Sequence, residues 1–293
     1  MEGSGRGIVA VTGATGLQGG AVTRALARDG WTVRALTRRP AHRRAGRLRQ
    51  LDVELVEADM NDPTTLEHAF DGVHGVFNVQ NWHISGYAGE VTQGRNVTDT
   101  ALRIGVRHVV YGAGGIGMTA TGVGSWDTKV EIARYMQGRD LPVTILRPQA
   151  FMELMTASKF FPPASTWHVM PKLMGGDRPV VWLAADDFGA IVARVFADPD
   201  RFIGADHTLA ADVQSIDECR KIWREVMGRD PRRLPMPLWL FERLVGTDET
   251  TMWRWLRANE IPLKTEPTRT LLPGARTVRE WLTHTRGGAG DDL

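Results

Sequence analysis

A short apolar segment, Ile8-Val9-Ala10-Val11, runs directly into Thr12-Gly13-Ala14-Thr15-Gly16-Leu17-Gln18-Gly19-Gly20, and an amphipathic stretch over Ala21–Arg28 follows, stopping at Gly30. A buried strand, a glycine turn and a helix in that order constrain this chain more than any other feature. Gly13 permits a tight turn out of the strand, Gly16 lets backbone amides approach a bound group, and Gly19 allows the helix to pack closely on the sheet. The unpaired amides and partial positive charge at the helix start suit an anion, in particular a pyrophosphate. Glycines also serve turns that bind nothing. What separates this turn from those is its place between the first strand and the first helix of an alternating pattern.

That alternation continues. Thr32–Leu36 and Val53–Val56 read as strands, and Asp62-Pro63 starts a helix with a cap residue and a proline at its first position. Gly75–Val79 is a fourth strand, and the helix after it keeps Val91, Gly94, Val97, Ala101 and Ile104 on one face. Val106–Tyr111, a helix over Trp126–Gln137 ending at Gly138, and a strand over Val143–Leu146 complete the series. Strands alternating with amphipathic helices imply right-handed crossovers, an α/β class, and a Rossmann-type doubly wound parallel sheet. Residues 155–180, with Pro162-Pro163, Pro171 and Gly175-Gly176, read as an insertion. Val180–Ala184 and the helix after Asp187 read as a return to the sheet. From about 212 the chain is helical and rich in tryptophan (Trp223, Trp239, Trp253, Trp255, Trp281). The expected organisation is a cofactor domain over 1–154 with a sheet return at about 180–211, a smaller, mainly helical substrate or capping domain over 155–179 and 212–286, and a disordered tail over 287–293.

Composition narrows the function classes. The 36 basic and 34 acidic residues leave a net charge of +2, without the basic excess of a nucleic-acid protein. The single cysteine, Cys219, forbids an intramolecular disulfide, and its place in the stripe Ile216, Cys219, Ile222-Trp223, Val226 suggests a buried thiol. The eight histidines are scattered without metal-ligand spacing, so no metal is expected. No apolar run is long enough for a bilayer and the N-terminus lacks a signal-peptide apolar region. The expectation is a cytoplasmic protein with a small-molecule substrate, no nucleic acid and no membrane, a homodimer being left open.

The G-x-x-G-x-x-G spacing, with Thr15 and Gln18, resembles the short-chain dehydrogenase superfamily in its atypical form. Val33-Arg34-Ala35-Leu36-Thr37-Arg38-Arg39-Pro40, Glu57-Ala58-Asp59-Met60, Gly72-Val73-His74-Gly75-Val76-Phe77-Asn78-Val79, Leu146-Arg147-Pro148 and Phe151-Met152-Glu153 resemble the NmrA-like family, over roughly residues 7–210. The resemblance implies either an NADPH-dependent reductase of quinones, dyes and similar molecules, or an NADP-binding redox sensor without turnover. The end of the second strand bears on the cofactor. An NAD-preferring site places a carboxylate there for the ribose hydroxyls, whereas this chain offers Thr37-Arg38-Arg39 and then His42-Arg43. A guanidinium can grip a 2′-phosphate that a carboxylate would repel, so Arg38 is the expected phosphate contact and NADP(H) the expected cofactor. Arg43, Arg44, Arg47 and Arg49 read as a solvated basic helix. By resemblance, Gly13, Thr15, Gly16, Leu17 and Gln18 hold the pyrophosphate side, Asp59 and Met60 the adenine, Val79, Gln80 and Asn81 the ribose and pyrophosphate, and Phe151 the nicotinamide side. Asp59 could equally be a turn acceptor.

Short-chain dehydrogenases place Tyr and Lys four apart on a helix, the lysine lowering the phenol's pKa for proton exchange with substrate. Here the helix reads Ser125-Trp126-Asp127-Thr128-Lys129, which keeps the lysine and replaces the tyrosine by Ser125, a residue that also suits a helix N-cap. Lys129 could contact the nicotinamide ribose, protonate substrate itself as the catalytic residue, or be a surface lysine. Of the three tyrosines (Tyr87, Tyr111, Tyr135), Tyr111 ends a strand near the site, where core packing is the ordinary role. A quinone-like acceptor can take its proton from water, so hydride transfer then needs only stacking and exclusion of solvent. Trp82, Trp126, Phe151 and Met152 follow strands and could supply that wall, or could be core. The function expected is reduction of a small quinone, enone, carbonyl or imine with NADPH. The alternative is a non-enzymatic NADP(H) sensor acting on a partner protein.

Overall fold

A computed structural model describes residues 6–287. By its contacts the chain divides into two compact units. The first runs through Gly117 and adds Thr128–Arg147 and Asp186–His207, and the second comprises Met118–Asp127, Pro148–Ala185 and the chain from Thr208.

The first half alternates β1 (Arg6–Val11), α1 (Leu17–Arg28), β2 (Trp31–Thr37), α2 (Arg43–Leu48), β3 (Glu54–Glu57), α3 (Pro63–Phe70), β4 (Gly75–Asn78), α4 (Trp82–Ile104), β5 (His108–Gly112), α5 (Gly124–Gln137) and β6 (Val143–Pro148). There follow β7 (Ala150–Phe151), α6 (Met170–Met174), β8 (Pro179–Leu183), α7 (Ala185–Ala197), α8 (Pro199–Phe202), β9 (Asp206–Leu209), β10 (Asp212–Ser215), α9 (Ile216–Met227), α10 (Leu238–Val245), α11 (Asp248–Ala258), α12 (Glu266–Leu271) and α13 (Val278–Gly287). Seven strands form the central sheet in the order β3-β2-β1-β4-β5-β6-β9. β1 pairs in parallel with both β2 and β4, and β2–β3, β4–β5 and β5–β6 are parallel as well. This is the Rossmann-type doubly wound sheet expected from the alternation. Its strand order reverses between β1 and β4, and the carboxyl ends of strands at such a switch point are where open α/β sheets bind ligands.

The local reasons are those the sequence carries. Val9, Ala10 and Val11 are fully buried, as a strand covered on both faces requires. The Asp62 side chain accepts from the Thr64 amide at 3.0 Å ahead of Pro63, starting α3. α4 is interrupted at Gly86, whose φ of 70° and ψ of 171° an L-residue would not adopt. Beyond that break the helix packs its small face on α5, so closely that a Cβ on Gly94 would lie 2.7 Å from Ile132. Leu66, Phe70, Val76, Val97, Tyr111, Ile132 and Ile145 belong to the core of this unit. Arg147 fastens β6 to β9 through a two-pronged pair with Asp206, at 2.8 and 2.9 Å.

Three parts of the sequence reading change. The strand at Val180–Ala184 does not return to the central sheet. It is β8, antiparallel to β10 and parallel to β7 in a separate three-stranded sheet, and β9 is the strand added to the central one. An unbroken apolar run marks a strand buried on both faces without naming its partner. The domain limits move accordingly, since 118–127 and 148–154 fall in the second unit and 186–207 in the first. Gly287 closes α13 rather than opening a tail, and residues 288–293 lie outside the described residues. The second unit has its own core, including Trp167, Trp182, Trp253, Trp281, Phe241 and the buried Cys219, whose thiol burial holds far above its ordinary pKa.

His108, fully buried on β5, contacts Thr144 Oγ1 through Nε2 at 2.8 Å, and that hydroxyl donates to the Phe202 carbonyl at 2.7 Å. Nε2 is therefore the protonated nitrogen, and Nδ1 has no partner among the described residues. Burial first, and then the charge of His74, push the imidazole's pKa from 6.5 down to about 4. The unfolded chain thus takes up this proton at a higher pH than the folded one, and stability falls as pH drops from about 6.5 towards 4, by about 3 kcal/mol in all. Thermal unfolding followed across this window should show that loss, and His108→Gln should flatten it.

Candidate functional site

At the end of β1, Thr12 Oγ1 accepts from the Val79 amide at 2.8 Å and donates to the Val79 carbonyl at 3.1 Å, which joins the ends of β1 and β4. Gly13 follows with φ +60°, and a Cβ there would lie 2.9 Å from Val79 Cγ1. The Gly16 amide donates to the Gly13 carbonyl at 2.8 Å, so Gly13 to Gly16 form a closed turn. Gly19 packs on that turn with no room to spare, because a Cβ on it would stand 2.3 Å from the Gly13 carbonyl oxygen. Gly16 itself is exposed, caps α1 with an ordinary extended φ of −95°, and a Cβ there would come no nearer than 3.2 Å to its neighbours. Thr15 is exposed beside it and Leu17 half-buried at the first position of α1. α1 has neither a side-chain cap nor an acidic residue in its first turn, so its leading amides remain for an outside acceptor. Gln18 turns inward, since a Cβ on Gly112 would meet its Oε1 at 2.6 Å. That oxygen is buried without a partner among the described residues.

After β2, Arg38 and Arg39 are exposed, and the Arg38 guanidinium makes no hydrogen bond or ion pair among the described residues. A carboxylate stands closer than the sequence suggests, because Glu57 on β3 is in register with Thr37. After β3, Asp59 is the turn acceptor, its Oδ1 taking the Asn61 amide and side chain, both at 2.9 Å. Met60 packs on the core, and its carbonyl accepts from Asn96 at 2.9 Å. After β4, Gln80 is buried and its Nε2 donates to Asn78 Oδ1, leaving Gln80 Oε1 and Asn78 Nδ2 unpartnered among the described residues. Asn81 is exposed and spends its side chain capping α4, accepting from the His83 amide at 3.0 Å.

Lys129 is not a surface lysine. It is 9% exposed, its Nζ is ion-paired with Glu90 Oε1, and it donates to the Gln80 carbonyl at 3.1 Å. Glu90 is fully buried and its second oxygen accepts from the Thr128 hydroxyl. Burial lowers the lysine's pKa, and the charge and hydrogen bond of Glu90 act against that shift. An ammonium has three N–H donors, and two are used, so one remains at the carboxyl end of β4. Sequence reasoning missed Glu90. Its signal was available: it lies four residues before Gly94 and seven before Val97, a carboxylate on the stripe that α4 buries.

The remaining candidates separate. Ser125, in the second unit, donates through its amide (3.1 Å) and hydroxyl to the buried carboxylate of Asp248, so the hydroxyl does not cap α5. Trp126 is buried edge-on against Trp255, with 5.4 Å between centroids. Met152 is fully buried in the second core, and Phe151 lies half-buried on β7 in register with Leu183. Trp82, in the first unit, stacks on His83 and Tyr87 at 3.7 and 5.2 Å. Tyr111 is core, and burial raises its phenol well above the ordinary range. Tyr135 is bound to Asp99. The first unit thus brings together the glycine turn, Gln18, Val79, Gln80 and Lys129 with free donors and acceptors around the β1–β4 switch point. A cradle without side chains, a helix start lacking its own acceptor and a buried ammonium with a spare N–H fit a dinucleotide.

The profile of the NmrA-like family matches residues 6–266. The chain belongs to the NmrA-like family. Among curated relatives, the NmrA-like family domain-containing oxidoreductase FrzB of Cladobotryum sp. is 29% identical over 259 residues, covering 79% of this chain and 77% of that protein. Among solved structures, NmrA, described as a negative transcriptional regulator, in complex with NADP has a TM-score of 0.74 at 18% identity, covering 98% of this chain and 99% of the other. Triphenylmethane reductase of Citrobacter sp. complexed with NADP(H) has a TM-score of 0.73 at 19% identity, covering 94% and 99%. These two likenesses are of fold.

The two outer glycines of the turn should respond differently to substitution. Gly16→Val should fold once the Gly13 carbonyl yields slightly, since its φ suits any residue, yet should lose NADP(H) and NAD(H) binding if this turn holds the pyrophosphate. Gly19→Ala should lose stability before anything else, by forcing α1 off the turn. Calorimetric titration with either dinucleotide, beside thermal unfolding of each variant, reads both effects. Micromolar binding retained in folded Gly16→Val would remove this turn from the site.

Proposed function

We propose that this chain is an NADP(H)-dependent reductase of a small quinone-, enone-, carbonyl- or imine-type substrate. The observation that carries the reading is Lys129, buried with one N–H to spare against the loop after β4, which Thr12 ties to the glycine turn. In this reading the amides of Gly16 to Gln18 bind the pyrophosphate and Arg38 binds the 2′-phosphate. The open acceptor of Gln80 and the spare donor of Lys129 meet ribose hydroxyls, while Asp59 and Met60 border the adenine. The relative named an oxidoreductase, and the likeness in fold to proteins crystallised with NADP or NADP(H), support the cofactor and the class. When bound, NADPH supplies a hydride and leaves as NADP+, and the reduced acceptor takes one proton from water.

The protein's own contribution is then to bind, orient and exclude water. Ser125, at the position of the usual tyrosine, is committed to Asp248, and Tyr111 is sealed in the core, so neither serves as the acid, which favours acceptors whose reduced form is a stabilised anion. The same lack of an acid, with the likeness to NmrA, favours a second reading: an NADP(H) sensor that regulates a partner protein. Turnover separates the two. A screen of NADPH oxidation against quinones, dyes, enones and imines should find a reduced substrate, and binding without any turnover would support the sensor.

Arg38→Ala should cut the preference for NADP(H) over NAD(H) by roughly ten- to 150-fold, the range of one charge-assisted contact, with NAD(H) affinity almost unchanged. Equal loss for both would give Arg38 another task. Removing Lys129 alone strands the buried Glu90 charge at a cost of about 3–5 kcal/mol, so the informative variant is Lys129→Met with Glu90→Gln. NADPH affinity should fall by a few-fold to about tenfold, with turnover falling in step. Normal binding with turnover down about a hundredfold or more would instead make Lys129 the proton donor.

A further inference from the structure

We propose that Glu90 is a positioning residue that keeps Lys129 an ammonium and aims its third N–H at the cofactor, so that the lysine's own contribution to NADP(H) affinity does not change with pH through the neutral range. The inference rests on the reading that Lys129 contacts the bound cofactor. The geometry behind it is a carboxylate with both oxygens engaged and no access to solvent. Oε1 takes Lys129 Nζ and Oε2 takes the Thr128 hydroxyl from the preceding residue of α5, so two adjacent side chains of one helix fix the carboxylate in place. The Gln80 carbonyl takes a second N–H at 3.1 Å. With two directions of a tetrahedral ammonium fixed from α4 and from the loop after β4, the third is fixed as well. A buried lysine without a carboxylate would shed its proton, because desolvation disfavours the charged form. Here burial lowers the Lys129 pKa while the charge and hydrogen bond of Glu90 oppose the fall.

The other groups around the pair do not substitute for Glu90. Tyr111 from β5 couples to the Glu90 charge but stays a neutral phenol, raised by its own burial. Arg147 from β6 acts on Tyr111 in the opposite sense and is bound to Asp206. Asn78 and Gln80 from β4 and its loop, and Gln93 from α4, are neutral amides. Replacing Glu90 by glutamine keeps shape and hydrogen-bonding capacity and deletes the charge. The sign follows directly: desolvation is left unopposed, the lysine's pKa falls, and its positive charge is lost as pH rises through the lowered value.

The test uses the whole protein labelled with 13C at lysine Cε, a tractable spectrum because the chain has five lysines; Lys129→Met with Glu90→Gln assigns the resonance. In the cofactor-free protein the Lys129 midpoint should be lower in Glu90→Gln than in wild type by about one pH unit or more, and Glu90→Asp, which keeps the charge, should stay near wild type. An unchanged midpoint in Glu90→Gln would overturn the proposal. Calorimetric titration with NADPH on either side of that midpoint should show the Kd of Glu90→Gln rising three- to tenfold with pH relative to wild type, and that of Glu90→Asp keeping a constant ratio to wild type. A loss of the same factor at every pH would make Glu90 a merely structural residue and would also overturn it. If the midpoint moves as expected while the Lys129→Met, Glu90→Gln double variant binds NADPH as wild type does, the reading of Lys129 as a cofactor contact fails. Glu90's hold on the lysine's charge then stands.

Discussion

The first unit depends on one close approach of backbone to backbone, that of Gly19 on α1 to the Gly13 carbonyl at the end of β1. A single extra carbon on residue 19 would intrude to 2.3 Å, so the helix can sit where it does only if that residue lacks a side chain. That approach sets the direction in which α1 leaves the sheet and leaves its first amides facing open space. The Thr12 hydroxyl ties the same turn to Val79, so the loop after β4 is held in register with the loop after β1. Gln80 begins one residue later, and the carbonyl that holds Lys129 is thereby placed by the same contact.

The second constraint is electrostatic. Burying an ammonium and a carboxylate together costs desolvation that mutual attraction offsets only with good geometry and satisfied neighbours. Thr128 and the Gln80 carbonyl provide that satisfaction. A pair of this kind is weak evidence of stability, because apolar residues of equal volume often do as well. Its position beside the switch point of the sheet, where ligands bind, makes function the better account of why a charge is kept there.

The fold was legible because each element carries its own signal: glycine at the turn, Asp62-Pro63 at a helix start, unbroken apolar runs in the strands. The destination of Val180–Ala184 was not legible, since periodicity describes a strand's faces and not its neighbours. The glycine turn, Arg38 and Lys129 could be picked out as residues, whereas their states could not. Lys129 reads in sequence as a ribose contact, a proton donor or a surface lysine, and only the packing of α4 against α5 shows that Glu90, 39 positions earlier, lies against it. Asp59 reads in sequence as an adenine contact more readily than as a turn acceptor, and in the fold its Oδ1 also takes the Asn61 hydrogen bonds of the turn. Trp126 and Met152 follow strands, as ligand-facing residues do, yet both are spent on packing.

The lone cysteine has a consequence for chemical durability. Quinones and enones alkylate proteins chiefly by conjugate addition of thiolates, and the thiolate is the reactive form. Cys219 is enclosed in the second core, with burial holding its proton far beyond neutral pH. Such electrophiles therefore meet no accessible thiol on this chain, and arylation at cysteine does not limit how long the folded protein lasts among them.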